Sequence, residues 1–163
     1  MNVSIYSRSE IKKLIFKGFP KNTAVISYYG EYEQPVSFPS WIPHIRLFID
    51  DIDISEIKGS EDYHIEDFRR IARFVKSCAE KDMDIICQCE AGISRSAGTA
   101  AAIKEFYDHD GKSIFEDSRY NPNRMFYNNL YRCLNEETQI LEDEKIRKDN
   151  VTIQQFWQER YKY

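Results

Sequence analysis

The chain has 163 residues, of which 42% are apolar and 31% charged, and its formal net charge is −4. This composition is typical of a soluble globular protein, so we predict a single domain over residues 1–163 with a charged helical extension from about residue 135. The acidic balance disfavours general binding to nucleic acid or membranes, and the lack of a long apolar run or a signal-peptide pattern predicts a cytoplasmic protein.

The first part of the chain predicts three strands and one helix. Alternation over residues 3–6 predicts a strand, and an amphipathic helix with a serine cap follows it and ends at Gly18. The β-branched run over residues 23–28 predicts a second strand, and residues 44–49 predict a third. Residues 30–43 contain three prolines, so an irregular loop is expected there.

The middle of the chain alternates between helix and strand. Residues 65–75 have apolar side chains at three- and four-residue steps, which predicts a helix. Residues 84–88 are nearly all apolar, as in a central strand that is covered on both faces. Small residues over 96–107 predict a helix close to the sheet, and a short helix is expected over 113–120. We therefore predict an α/β fold with a central, mostly parallel sheet of four to five strands flanked by helices.

The last part of the chain, from Asn135 onward, is highly charged. Near its end Ile153, Phe156 and Trp157 offer one apolar face on a helix. We therefore expect an additional helix docked on the domain, and a free interaction segment is the alternative.

The residues with the most chemical information follow the fourth predicted strand. Cys89 ends that strand, Gly92 lies in the next loop, and Arg95 stands six positions after Cys89 at the start of a helix. Loop amides and a helix N-terminus bind anions, and the planar guanidinium of arginine matches two phosphate oxygens. A cysteine at the base of such a loop can attack phosphorus as a thiolate. This combination predicts a phosphate site, whereas a packed structural cysteine would not account for the arginine.

The stretch from Cys89 to Gly98 resembles the Cys-x5-Arg signature of the protein tyrosine phosphatase superfamily. It is most similar to the dual-specificity branch, especially to compact bacterial and phage-type members, and the resemblance extends weakly from about Val3 to about Leu134. The resemblance implies a phosphatase-like sandwich and metal-independent hydrolysis of phosphomonoesters through a cysteinyl-phosphate intermediate, without a cofactor. The substrate would be a phosphorylated protein or a small phosphomonoester.

This chain departs from the family pattern at one position. The family usually has a histidine before the nucleophile, and this chain has Gln88. An amide can donate a hydrogen bond but has no positive charge. We therefore expect a somewhat slower enzyme, with Cys89 and Arg95 still in place.

Phosphate binding is assigned mainly to backbone N–H groups of the loop, together with Arg95. The residues that supply these groups are Glu90, Ala91, Gly92, Ile93 and Ser94. The carboxylate of Glu90 is expected to point outward, because it would repel the substrate. Ser96 is expected to donate to the sulfur of Cys89 or to satisfy the helix N-terminus, and Asn123 to support the loop or to cap a helix.

Protonation of the leaving group requires a carboxylic acid above the pocket. The candidates are Asp50, Asp51 and Asp53, which follow the third predicted strand. The family pattern, in which the acid follows an apolar-alternating strand, points to Asp51, with Asp50 next. At least two of the three are expected to be solvated turn residues.

Two other classes of function are compatible with the sequence. One is a phosphate-binding module with little turnover, of which Gln88 would be the first sign. The other is a sulfurtransferase or an arsenate reductase, which also use a cysteine in an anion-binding loop but have no use for the upstream aspartates. The four cysteines have no paired zinc spacing, and Cys87 is expected to be a core residue rather than a disulfide partner of Cys89.

Overall fold

A parallel sheet of four strands forms the centre of the computed structural model, which describes the backbone of residues 1–160 and the side chains of residues 1–59 and 61–148. The strands are β1 (Val3–Ser7), β2 (Thr23–Tyr29), β3 (His44–Phe48) and β4 (Asp84–Cys89). Their order across the sheet is β1-β4-β2-β3, and each neighbouring pair is parallel. The predicted α/β class and the mostly parallel sheet of four to five strands are confirmed.

Helices connect the strands and cover both faces of the sheet. They are α1 (Arg8–Lys17), α2 (Ile65–Glu80), α3 (Arg95–Asp108), α4 (Lys112–Glu116) and α5 (Arg124–Arg160), with a short 3-10 turn at Ser60–Asp62. α1 begins at a capping box, in which the Ser7 hydroxyl accepts from the backbone N–H of Glu10 and the Glu10 carboxylate accepts from that of Ser7. The cap fixes the turn of the chain at the end of β1.

Side chains of the strands alternate between two cores, because successive residues of a strand point to opposite faces. Ile26 of β2 packs on one face with α2, α3 and α5. Val25 of β2 and Ile86 of β4 pack on the other face with Ile11 of α1 and with the loop between β2 and β3. The larger core lies on the side of α2, α3 and α5, and Cys89 is part of it.

The short helix predicted over residues 113–120 is wrong in its length. α4 ends at Glu116, and Asp117 is extended with φ −79° and ψ 112°. The Asp117 carboxylate accepts from the backbone N–H of Arg119 at 3.0 Å and from its guanidinium at 2.6 Å, and these hydrogen bonds lower the pKa of Asp117 to about 2. Local bonds of this kind compete with helix hydrogen bonding, so the helix ends early.

α5 continues without a break from the domain into the tail. Its first part packs against α2 and α3, and Phe126 and Leu134 are fully buried there. All side chains from residue 139 to residue 148 are exposed. The predicted docking of the tail concerns Ile153, Phe156 and Trp157, which lie outside the described side chains. In the part of the chain that the structure describes, no helix, α5 included, is both long and apolar enough to cross a membrane.

Candidate active site

The candidate site lies at the carboxyl edge of the sheet. Because the strands are parallel, the residues that follow β2, β3 and β4 meet at this edge. They are the loop with Glu33, the aspartates after β3, and residues 89–95, here called the 89–95 loop. α3 begins at Arg95, so the positive end of the helix lies at the end of this loop. The topology therefore brings the predicted acid, loop and helix terminus together.

Main-chain carbonyl groups at the beginning of the 89–95 loop accept hydrogen bonds from partners outside the loop. The carbonyl of Cys89 accepts from Gln88 Nε2 at 2.7 Å, and that of Glu90 accepts from the backbone N–H of Arg8 at 3.0 Å. Gln88 is 1% exposed, and its Oε1 accepts from the Ser27 hydroxyl at 2.5 Å. The Glu90 carboxylate lies 3.8 Å from the Arg8 guanidinium and is 45% exposed. Gln88 thus supports the loop from below, and the charge of Glu90 lies outside it.

The end of the 89–95 loop is held by the segment that precedes α5. The carbonyl of Ile93 accepts from the backbone N–H of Asn121, and that of Ser94 from the backbone N–H of Asn123, both at 3.1 Å. Asn123 also caps α5, because its Oδ1 accepts from the backbone N–H of Phe126 at 3.2 Å. Asn123 therefore supports the loop through its backbone N–H and caps α5 through its side chain.

These bonds fix the direction of the amide groups in the loop. In a trans peptide the C=O and N–H groups point in opposite directions. Since the four carbonyls point to partners outside the loop, the N–H groups of the same peptide units point to its inner side. These N–H groups belong to Glu90, Ala91, Ser94 and Arg95. Several N–H groups that converge on one concave side form a binding place for an anion.

Gly92 is required by the packing of the loop on β1. Its φ is 69°, in the left-handed region, and an added Cβ would lie 2.6 Å from the backbone nitrogen of Ser7 and 2.8 Å from the carbonyl carbon of Tyr6. These distances are too short for any side chain. The loop therefore packs directly against the end of β1.

Cys89 lies at the base of the 89–95 loop and is 1% exposed. Its Sγ is 3.1 Å from the hydroxyl oxygen of Ser96, a buried residue in the first turn of α3. Ser96 is thus within hydrogen-bond reach of the sulfur. Cys87 is fully buried in the larger core, and this burial raises the pKa of its thiol. All four cysteines are free.

The guanidinium of Arg95 is held by two loops and is nearly buried, with 2% of the side chain exposed. Nη1 donates to the carbonyl of Ile49 at 3.0 Å, and Nη2 donates to the carboxylate of Glu33 at 2.5 Å. Burial alone would lower the pKa of Arg95, but its bond to Glu33 and the charges of Glu33, Cys89 and Asp51 raise it above the usual value. Nε is buried without a hydrogen-bond partner among the described residues. Further guanidinium N–H groups are therefore left for an oxyanion.

Asp51 contacts the 89–95 loop directly. Its Oδ1 accepts from the Ser94 hydroxyl at 2.7 Å and from Asn123 Nδ2 at 3.0 Å. The residue is exposed, so its carboxyl group faces solvent at the rim of the loop. A proton donor for a leaving group has to lie in such a position.

The two neighbouring aspartates accept hydrogen bonds from main-chain groups. Asp50 Oδ1 accepts from the N–H of Glu31 at 2.9 Å, and Asp53 accepts from those of Ser55 at 3.1 Å and Arg124 at 3.2 Å. Burial raises the pKa of Asp53, but the hydrogen bonds from Ser55 and from the start of α5 outweigh it, so the pKa is lowered. Of these three aspartates, Asp51 is the one with a described hydrogen bond to the 89–95 loop.

Glu33 is the main residue of the candidate site that no pattern in the sequence indicated. It lies in the irregular loop after β2, 62 residues before its partner Arg95, and no motif marks it. The predicted topology did offer one signal for Glu33, because acidic residues that follow parallel strands lie at the same edge of the sheet. Ser27 was missed for another reason: its contact with Gln88 depends on the pairing of β2 with β4.

The fold is similar to solved structures of phosphatases, although no protein-family model and no curated protein sequence matches the chain. A crystal structure of DUSP15 has a TM-score of 0.59 and 22% identity and covers 80% of this chain and 81% of that one. A mouse putative dual specificity phosphatase complexed with zinc tungstate has a TM-score of 0.51 and 14% identity, over 83% of this chain and 80% of that one. The chain has the dual-specificity phosphatase fold.

The same fold is present in PTPMT1, solved in complex with PI(5)P, with a TM-score of 0.52 and 13% identity over 86% of this chain and 94% of that one. The predicted resemblance to the dual-specificity branch is confirmed for the fold. At these identities the similarity shows the fold alone. Any chemistry of this chain has to be inferred from its own residues, above all from the contacts of the 89–95 loop.

Proposed function

We propose that the protein hydrolyses phosphomonoesters through a phosphocysteine intermediate, with phosphorylated proteins or small phosphomonoesters as substrates. The observation that supports this most is the arrangement of the 89–95 loop around Cys89. Four of its carbonyl groups accept hydrogen bonds from partners outside the loop, so the amide N–H groups of the same peptide units point inward. The buried Nε of Arg95 has no partner among the described residues. Such a cradle suits a tetrahedral oxyanion whose phosphorus lies next to the sulfur.

In the first step, the Cys89 thiolate attacks phosphorus. The S–P bond forms while the bond between phosphorus and the leaving oxygen breaks. Protonated Asp51 gives its proton to that oxygen, so the alcohol or phenol leaves as a neutral molecule. Arg95 and the loop amides stabilise the charge on the three remaining oxygens during the transfer.

In the second step, a water molecule attacks the phosphorus of phosphocysteine. The Asp51 carboxylate takes a proton from the water, the S–P bond breaks, and inorganic phosphate leaves. Ser96, at 3.1 Å from Sγ, donates a hydrogen bond to the sulfur as it becomes a thiolate again. Neither step uses a metal or a cofactor.

The proposed nucleophile also implies a cellular location. A thiolate that is free to attack phosphorus is lost when it is oxidised. A reducing compartment protects it, so we place the protein in the cytoplasm.

Hydrolysis of p-nitrophenyl phosphate in the presence of a chelator tests the proposal. The wild type should release nitrophenol, and Cys89→Ser should abolish the release. Cys133→Ser, which changes a buried cysteine of α5, is the matched control and should retain activity. A wild type that binds tungstate without turnover would instead be a phosphate-binding module. Persulfide transfer or arsenate reduction without phosphatase activity would assign the third class.

A further inference from the structure

A groove leads away from the candidate site along the segment before α5. It begins as a cavity of about 270 Å³ whose lining includes Asp51 and Ser94. An adjoining cavity of about 490 Å³ shares part of this lining, including Asp53, and extends to Ile57. Because Asp51 is hydrogen-bonded to Ser94 of the 89–95 loop, the groove starts at the site itself. A substrate larger than a single phosphorylated side chain would extend along it.

The lining of this groove is acidic. Asp53 and Glu56 contribute two carboxylates, Asp51 contributes the carboxyl group that is protonated in the first step of the proposed hydrolysis, and Arg124 contributes one guanidinium. That guanidinium lies 4.0 Å from the Glu56 carboxylate, so these two charges partly balance each other and the groove keeps a negative excess. Ile57 is exposed and adds an aliphatic surface to the same lining.

We propose, on the basis of the proposed function, that the groove binds the polypeptide next to a phosphorylated side chain and selects phosphoproteins with lysine or arginine beside that residue. Such a side chain would place its cation among the carboxylates and its methylene groups on Ile57. The phosphate has a separate anchor in the buried, unpartnered Nε of Arg95. Head groups with additional phosphates would meet like charge in the groove. The substrate class is therefore a basic phosphopeptide rather than a phosphoinositide.

Two phosphotyrosine peptides of equal length, with either arginines or glutamates beside the phosphotyrosine, test this proposal. The wild type should hydrolyse the arginine peptide with a kcat/KM about tenfold above that of the glutamate peptide at low salt. Added salt should reduce this ratio, because exposed charges are screened. A soluble short-chain phosphoinositide should be a poorer substrate than the arginine peptide.

Glu56→Lys reverses one charge of the groove without changing the 89–95 loop. The ratio between the two peptides should fall about threefold, while hydrolysis of p-nitrophenyl phosphate, which is too small to occupy the groove, should stay at the wild-type rate. Glu144→Lys is the matched control, since it makes the same charge change at an exposed position of α5, about 30 Å along the helix from Arg124. It should leave the ratio unchanged.

Three results would overturn the proposal: equal rates for the two peptides, a ratio that Glu56→Lys does not change, or faster hydrolysis of the phosphoinositide. A failure of the proposed function is distinguishable, because p-nitrophenyl phosphate would then not be hydrolysed either. In that case binding of the two peptides to the Cys89→Ser variant still decides the preference of the groove. Equal Kd values would count against it.

Discussion

The carboxylate of Glu33 lies 2.5 Å from the guanidinium of Arg95 and joins the loop after β2 to the start of α3. The Arg95 side chain is almost completely buried, whereas the Glu33 side chain is 23% exposed. The carbonyl of Ile49 holds the other terminal nitrogen of the guanidinium at 3.0 Å. Two separate loops therefore fix the plane of the Arg95 guanidinium. We regard Glu33 as a positioning residue.

Glu33→Gln should lower kcat/KM for p-nitrophenyl phosphate by about 10- to 100-fold, because a guanidinium held less firmly stabilises the transferred group less well. Its affinity for tungstate should fall in parallel, which a purely structural defect elsewhere would not produce. Glu31→Gln changes an exposed carboxylate of the same loop and should leave both quantities within about twofold. Unchanged tungstate affinity in Glu33→Gln would contradict the positioning role.

Asp51→Asn should lower kcat for a substrate with a poor leaving group about 100-fold or more, because the leaving oxygen would no longer receive a proton. The loss should be smaller for p-nitrophenyl phosphate, whose leaving group needs less help. Asp50→Asn and Asp53→Asn are the controls, since these carboxylates accept from main-chain N–H groups. The assignment is wrong if one of them, and not Asp51→Asn, loses more activity with the poor leaving group than with p-nitrophenyl phosphate.

Local patterns in the sequence predicted the strands and helices, apart from the length of α4, and they made Cys89 and Arg95 candidates for the site. Cys89 and Arg95 lie in one short segment between a strand and a helix, so their meeting depends only on local structure. The contact between Glu33 and Arg95 depends on the order of the strands, which no local pattern contains. The ranking of Asp51 over Asp50 depends on where each carboxylate finds a hydrogen-bond donor. Such contacts are set by tertiary packing, and the sequence alone could only propose candidates for them.

Gln88→Ala should destabilise the fold by about 1–3 kcal/mol for each buried group that it leaves without a partner. These groups are the hydroxyl of Ser27 and the carbonyl of Cys89. Gln88→Met keeps most of the side-chain volume, so a similar loss in this variant would show that lost hydrogen bonds rather than a cavity cause the effect. Gln34→Ala, at an exposed position, should change the free energy of unfolding by less than about 0.5 kcal/mol. Chemical denaturation measures all three.

Gly92→Ala should be more costly than an alanine at another glycine with positive φ. At Gly92 the added methyl group would overlap the backbone of Ser7, and we expect a loss of about 2–5 kcal/mol from strain and overlap together. Gly59 has φ 90° with nothing within 4 Å of an added Cβ, so Gly59→Ala should cost only the strain, about 1–2 kcal/mol. Thermal or denaturant unfolding of both variants checks the difference. Equal losses would show that the loop does not press on β1.

The four cysteines should differ sharply in their reactivity. Burial raises the pKa of Cys78 and of Cys133 to about 11, and it also raises the pKa of Cys87. Alkylation by iodoacetamide requires the thiolate, which forms only as the pH approaches the pKa of the thiol. These three thiols should therefore stay protonated and unreactive at pH 7.5 in the folded protein. Cys89, the proposed nucleophile at the base of the 89–95 loop, should be the cysteine that reacts.

Mass spectrometry after brief treatment with iodoacetamide at pH 7.5 should show one modified cysteine, at Cys89. Phosphate or tungstate should slow this modification, because either anion would occupy the 89–95 loop above the sulfur. In denaturant all four cysteines should react, which provides the control for the labelling chemistry. Modification of Cys78 or Cys133 before Cys89, or a rate at Cys89 that neither anion changes, would count against a reactive sulfur in an anion-binding loop. The proposed two-step hydrolysis would then lack its nucleophile.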